Sequence, residues 1–176
     1  MDRPLPWLRY VETKNLDDNA WRLNGLEVDS VDGAKLGNVE GFIVDVTPGR
    51  PFHVVIGAGS WFTHKHFLLP IGHVVLDETR MRMIADLTRD RVTRFPGFDK
   101  DRFETVSEDE LTQMGNTIAT SCCPDEVVAV ESLWNSRHYQ APTWWEVSYY
   151  RIEPSDKAEG GVNDPPRRAT AADRRG

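Results

Sequence analysis

The residues best suited to chemistry in this sequence are histidines that gather in one short stretch. Residues 57–74 read GAGSWFTHKHFLLPIGHV and contain His64, His66 and His73, and His53 lies just upstream. Imidazole nitrogens bind zinc or iron, and they also exchange protons near neutral pH. In a β-strand, the side chains of His64 and His66 would point to the same face, as a pair of metal ligands requires.

Other features of this stretch argue against a metal site. A catalytic site needs a third protein ligand and an outer shell, and residues 67–70 place only apolar side chains and a proline after the pair. The THKH segment is typical of a hairpin tip, and His53 alternates with apolar neighbours, so it is expected to face outward. We expect solvated or packing roles and no bound metal or cofactor, with a pH-responsive contact as a further alternative. The weak metal candidates are His53, His64, His66 and His73.

The remaining reactive side chains give weaker signals. Cys122 and Cys123 are adjacent and are the two cysteines of the chain, so they form no disulfide framework. Two reduced thiols at a helix end are favoured over a vicinal disulfide or a redox pair. The sequence contains no glycine-rich phosphate loop and no serine-hydrolase motif. It therefore gives no positive reason to propose catalysis, and we expect a protein that is not an enzyme.

The composition limits which kinds of partner and location are expected for this protein. The chain has 176 residues, a formal net charge of -7, a pI of about 5.2 and a mean hydropathy of -0.51. This acidity disfavours nucleic acid as a partner, because non-specific binding depends on counterion release by lysine and arginine. The opening MDRPLPWLRYVETK has no apolar run long enough for a signal peptide or a membrane span. We expect a soluble, cytoplasmic protein without membrane insertion.

The residues around the histidines alternate in the manner of short β-strands. Apolar side chains recur at every second position in NVEGFIVDV, PFHVVIG and RMRMIADL. The Asp32-Gly33 dipeptide is a favoured hairpin turn, and Pro48-Gly49 marks another turn. Five or six such strands with hardly any helix between them predict a mainly β fold. The most economical arrangement is a small antiparallel β-barrel.

The chain divides into four zones. Residues 1–20 are predicted to be an N-terminal arm, 21–98 the barrel domain, 99–153 a helix plus an aromatic-rich extension, and 154–176 a disordered tail rich in Pro, Gly and charge. Within the extension, Ser107 and Glu110 have the spacing of a capping box. This spacing predicts an α-helix that starts there and ends near Cys122, before Pro124.

The extension is dense in aromatic side chains, and two interpretations stay open. The segment could fold back and complete the core, or it could form a surface for a partner or a second copy, since Trp and Tyr dominate interface hot spots. The interface candidates are Trp134, Tyr139, Trp144, Trp145, Tyr149 and Tyr150.

A set of turn and strand residues in the barrel zone follows a familiar order. The set comprises Gly25, Asp32-Gly33, Gly37 with Val39, Asp45, Gly59, Leu69-Pro70 and Phe95-Pro96. In this order and spacing, roughly residues 21–98 resemble the PRC-barrel family. That family includes the cytoplasmic domain of the photosynthetic reaction-centre H subunit and the C-terminal domain of a ribosome-maturation factor. The resemblance implies a small β-barrel used as an adaptor, commonly self-associating, that docks against a larger assembly.

The chain departs from both of those proteins and is more similar to free-standing bacterial members of the family. We expect it to have neither the transmembrane helix of an H subunit nor the separate N-terminal barrel of the maturation factor. We therefore expect an interaction or assembly module, a homodimer with an unknown protein partner. Two alternatives are a metal- or small-ligand-binding protein centred on the four histidines and a ribosome- or RNA-associated factor.

Overall fold

The computed structural model describes residues 8–16, 23–45, 49–126 and 128–145. The predicted tail (154–176) and two of the interface candidates, Tyr149 and Tyr150, lie outside this part of the chain. These ranges contain seven strands: β1 (Leu8–Glu12), β2 (Glu27–Asp29), β3 (Lys35–Asp45), β4 (Arg50–Ala58), β5 (His66–Pro70), β6 (Val74–Asp77) and β7 (Arg82–Ala85). Two α-helices come after them, α1 (Arg89–Val92) and α2 (Glu108–Cys122). Short 3₁₀ turns lie at Thr13–Asn15, Ile71–His73, Phe103–Thr105, Val130–Asn135 and Arg137–Tyr139.

The strands form one sheet in the order β5-β4-β3-β2-β7-β6, and β1 pairs with the second half of β3. All pairings are antiparallel except the one between β2 and β7. The predicted mainly β fold is confirmed, and the predicted N-terminal arm contributes one strand. In the described ranges no pairing joins the terminal strands β5 and β6. Closure of the sheet into a barrel therefore stays a prediction.

The long central strand β3 has register shifts next to two of its glycines. Its register with β2 shifts beside Gly37, and its register with β4 shifts between Val39 and Gly41. A Cβ atom on Gly37 would overlap the backbone carbonyl oxygen of Gly57 on β4. The two backbones approach so closely at this point that no side chain fits at Gly37.

Both faces of the central strands are buried. Phe42, Ile43 and Val44 are neighbours on β3, so their side chains alternate between the two faces, yet all three are fully buried. An antiparallel sheet covered on one side would expose one of these faces. The C-terminal extension supplies cover, since the ring centroid of Trp145 lies 5.0 Å from that of Phe42. The core is therefore shared between the sheet and the extension.

Helix α2 begins and ends where the sequence predicts. The Ser107 hydroxyl accepts a hydrogen bond from the Glu110 N–H (3.1 Å), and the Glu110 carboxylate accepts one from the Ser107 N–H (3.0 Å). At the other end, the Arg91 guanidinium donates to the carbonyl oxygen of Cys122 (2.7 Å) and satisfies a group that the helix leaves free. Within the described residues, no helix has the length and apolar character that crossing a bilayer demands.

The capping box gives a direct test of helix stability. Ser107→Ala removes the acceptor for the Glu110 N–H and should lower the free energy of unfolding by about 1 kcal/mol. Urea denaturation followed by circular dichroism measures this loss. Thr117→Ala removes an exposed hydroxyl from the same helix and should change the free energy by less than about 0.5 kcal/mol. Equal losses in the two variants would contradict the capping role.

Candidate functional site

Four side chains of metal-ligating type meet in the interior although they lie far apart in the sequence. His73 comes from the 3₁₀ turn between β5 and β6, Cys122 and Cys123 come from the end of α2, and His138 comes from the 3₁₀ turn Arg137–Tyr139. All four are buried, and their potential ligand atoms lie within 4.8 Å of one another. These four residues are called the His–Cys cluster below.

A glycine allows the two turns of the cluster to touch. A Cβ atom on Gly72 would overlap the carbonyl oxygen of Arg137 and would lie 2.8 Å from the carbonyl oxygen of His138. Real Cβ atoms do not approach a backbone oxygen so closely, so any other residue would push the turns apart. Gly72 is therefore required to bring His138 against His73.

Two arginine side chains link the turn Arg137–Tyr139 to neighbouring segments. Arg137 donates two hydrogen bonds to the Glu126 carboxylate, at 2.8 and 3.0 Å, and thereby lowers the pKa of that carboxyl group. Arg50 on β4 donates to the carbonyl oxygen of Tyr139 (2.7 Å). Because the Arg137–Glu126 pair is half exposed, it contributes little free energy. The two parallel hydrogen bonds of the pair still hold the turn that contains His138 against the segment that follows Cys123.

The imidazole of His73 is oriented by a carboxylate. Its Nδ1 lies 2.7 Å from Oδ1 of Asp86, which assigns the proton to Nδ1 and leaves the lone pair on Nε2. That Nε2 faces Nδ1 of His138 at 2.8 Å and the sulfur atoms of Cys123 and Cys122 at 3.7 and 3.9 Å. The lone pair of His73 therefore points into the cluster.

The cluster favours an uncharged His138. Burial, together with the neighbouring His73 as a smaller cause, holds the pKa of His138 below its usual value. The sulfur atoms of Cys122 and Cys123 are joined in a disulfide, whereas the sequence favours two reduced thiols. The backbone explains this difference: Cys123 leaves the helical conformation (φ -143°, ψ 68°), and the two sulfur atoms of neighbouring residues reach the same side.

His53 is buried, and the expectation that it faces outward is wrong. Its side chain is 1% exposed, and its ring packs edge-on against Trp134 and Tyr139, which come from the extension. Its Nε2 lies 3.3 Å from the hydroxyl oxygen of Tyr139. Burial lowers the pKa of His53 to about 3 and raises the pKa of Tyr139. Alternation along β4 could not reveal this, because a distant segment covers the outer face.

The His64–His66 pair does not present two ligands from one strand face. His64 is exposed in the loop before β5, whereas His66 begins β5, and its Nε2 lies 2.9 Å from Oε1 of Glu40. Within the described ranges, the grouping of possible metal ligands contains His73 but not His53, His64 or His66.

Most of the described interface candidates belong to the core. Trp134, Tyr139 and Trp145 are buried, and Trp144 is partly buried, with its indole N–H donating to the carbonyl oxygen of Val74 (3.2 Å). This packing matches the interpretation in which the segment completes the core. It leaves the buried rings little surface for a partner. A role of Tyr149 or Tyr150 at an interface stays a prediction.

Comparison with known proteins identifies the first part of the chain. Residues 19–91 match the model of the PRC-barrel domain family. This segment is a PRC-barrel domain. An uncharacterized protein of Deinococcus radiodurans is 28% identical over 106 residues, which make up 58% of this chain and 38% of that relative. The chain thus spans well under two thirds of the length of the relative.

The His–Cys cluster joins the PRC-barrel domain to the C-terminal extension. His73 and Asp86 lie inside the matched segment, whereas Cys122, Cys123 and His138 lie beyond it. Sequence reasoning included His73 and noted the cysteine pair but did not connect them. The sequence shows that these residues are of metal-ligating types. It does not show that they lie close together, because that depends on how the extension packs against the sheet.

A substitution at Gly72 tests how closely the extension must pack against the turn that carries His73. Gly72→Ala should lower the free energy of unfolding by about 1–3 kcal/mol, because the added methyl group meets backbone that cannot turn away. Thermal or urea denaturation measures the loss. Gly59→Ala is the matched control, since its Cβ would meet only the edge of the Trp61 side chain at 3.3 Å. A Gly72→Ala protein as stable as the control would show that the two turns are not tightly packed.

Burial of His53 predicts a stability that depends on pH. Its pKa is about 3 in the folded chain and about 6.5 in the unfolded chain, so between these values the unfolded chain binds more protons. Stability is therefore lost as the pH falls through this window, by about 2 kcal/mol between pH 7 and pH 5.

Urea denaturation of the wild type and of His53→Phe at pH 7 and pH 5 isolates this contribution. The wild type should lose about 2 kcal/mol more than the variant between the two pH values. His64→Phe changes an exposed histidine and should keep the wild-type dependence. An unchanged pH dependence in His53→Phe would mean that His53 is solvated in the folded protein.

Proposed function

We propose that the chain is a non-enzymatic interaction and assembly module that self-associates as a homodimer. The PRC-barrel domain supports the general role, because the resemblance implies an adaptor that docks against other proteins. The dimer surface that we propose is the outward face of β2, β7 and β6. This surface differs from the aromatic segment, which is largely occupied in packing against the chain's own core.

The distribution of exposed apolar side chains carries the proposal. Among the described residues, three large apolar side chains are well exposed: Val31 (58%), Val75 (58%) and Met81 (42%). Val31 lies in the turn after β2, whereas Val75 on β6 and Met81 in the turn before β7 share the β6–β7 hairpin. Exposed apolar side chains that share one hairpin, as Val75 and Met81 do, favour contact with another protein.

Charged groups lie beside these apolar side chains. Arg82 on β7 forms ion pairs with Asp29 and Glu27 on β2, and Lys35 pairs with Glu27 at 3.5 Å. On β6, Val75 is opposite Ile84, which in turn is opposite Asp29, so apolar and charged positions adjoin on one face. An apolar centre with a polar rim is the usual composition of a protein interface. In a two-fold dimer, the same patch would meet its own copy.

The oligomeric state tests this proposal. Light scattering coupled to size exclusion should give the wild type a mass of twice the 20.0 kDa chain. The double variant Val75→Glu, Met81→Glu places two like charges at the contact and should run as a monomer. A matched control, Gln113→Glu with Thr117→Glu, adds the same charge to the exposed side of α2 and should stay dimeric. A monomeric wild type would refute self-association, and a dimeric double variant would refute this surface.

A further inference from the structure

We infer that the reduced His–Cys cluster binds one zinc ion. The ligands are the thiolates of Cys122 and Cys123, Nε2 of His73 and Nδ1 of His138. Two thiolates and two imidazoles are a donor set that zinc binds in tetrahedral geometry at closed, structural sites. The inference is independent of self-association, because the cluster is buried inside one chain.

The distances from His73 to the two sulfur atoms suit a tetrahedral ion. Nitrogen and sulfur ligands at their usual zinc distances lie about 3.3–3.8 Å from one another. Nε2 of His73 is 3.7 and 3.9 Å from the sulfur atoms of Cys123 and Cys122, which is close to this range. Nε2 of His73 and Nδ1 of His138 are 2.8 Å apart and would separate by roughly 0.5 Å around an ion.

The outer contacts of the cluster are those that a zinc-bound histidine needs. Asp86 accepts from Nδ1 of His73, which fixes the tautomer and aims Nε2 at the sulfur atoms. The ring of His138 is fully buried, which disfavours a charged imidazolium and suits the neutral ring that a ligand must have. Two thiolates also cancel the two positive charges of the ion. The complete site is therefore uncharged, which its burial requires.

Stabilisation by the disulfide alone explains the arrangement less well. A bond between adjacent residues closes a very small loop and so removes little conformational freedom from the unfolded chain. A disulfide also needs no imidazole, yet two imidazoles lie beside these sulfur atoms. Zinc binding gives all four side chains a role.

Zinc binding and the disulfide exclude each other. A dithiol reductant supplies two electrons and two protons, which convert the disulfide to two thiols while the reductant becomes a disulfide itself. Zinc then displaces one proton from each thiol, and both protons pass to water. Oxidation of the two thiolates by a disulfide reverses the change and releases the ion.

The test uses the full chain reduced with a phosphine in the absence of oxygen. Cobalt(II) is titrated first, because tetrahedral cobalt with thiolate ligands has strong visible absorption bands. Zinc is added next, and the metal content is measured after gel filtration. We expect tetrahedral cobalt bands that zinc abolishes, one zinc per chain, and less than one tenth of this zinc in the disulfide form.

Variants locate the ion. The double variant Cys122→Ser, Cys123→Ser should lose the stoichiometric zinc, and Asp86→Asn should weaken zinc binding about 10–100-fold. His64→Asn removes an exposed histidine outside the cluster and should bind like the wild type. If the double variant fails to fold, the wild type in its disulfide form remains the comparison without thiolates. Absence of tetrahedral cobalt bands in the reduced wild type would overturn the inference, as would undiminished zinc in a folded double variant.

Discussion

The packing of Tyr139 and Trp134 against Phe52 and His53 on β4 is the contact on which the rest of the structure depends. The ring centroid of Tyr139 lies 5.9 Å from that of Phe52 and 5.0 Å from that of His53, and its side chain is fully buried. Burial of an aromatic side chain of this size is worth, as an upper estimate, about 4–6 kcal/mol. The contact both covers the second face of the sheet and carries the neighbouring His138 into the interior.

Once the extension is docked, several titratable groups have to remain uncharged. Burial lowers the pKa of His53 and of His138 and raises the pKa of Tyr139, so each group favours its neutral form. Nδ1 of His53 and Nε2 of His138 are buried without a hydrogen-bond partner in the described part of the chain. Such groups cost free energy, and the surrounding aromatic packing offsets that cost. The interior of this region is therefore stabilised by shape and apolar contact more than by polar bonds.

Local rules predicted much of the fold, and long-range contacts account for most of what they missed. The Asp32-Gly33 turn and the capping box of α2 each depend on residues within a few positions of one another. The burial of His53 and the meeting of His73 with His138 depend on segments separated by 86 and 65 positions. Alternation describes how side chains leave a strand, but it does not say what covers each face. For the same reason, the sequence drew attention to His73 and to the cysteine pair but gave no sign that they meet.

The parallel pairing of β2 with β7 has a consequence for the order in which the chain folds. Antiparallel neighbours such as β3, β4 and β5 are connected by short loops and can pair as soon as each strand exists. Strand β2 reaches β7 only after the intervening strands have been arranged, because Asp29 and Arg82 are 53 positions apart. Closing such a loop costs more chain entropy and makes this step slow compared with hairpin formation. During synthesis, the meander from β3 to β5 can therefore form first. The edge of β2 that pairs with β7 stays unpaired until β7 has left the ribosome.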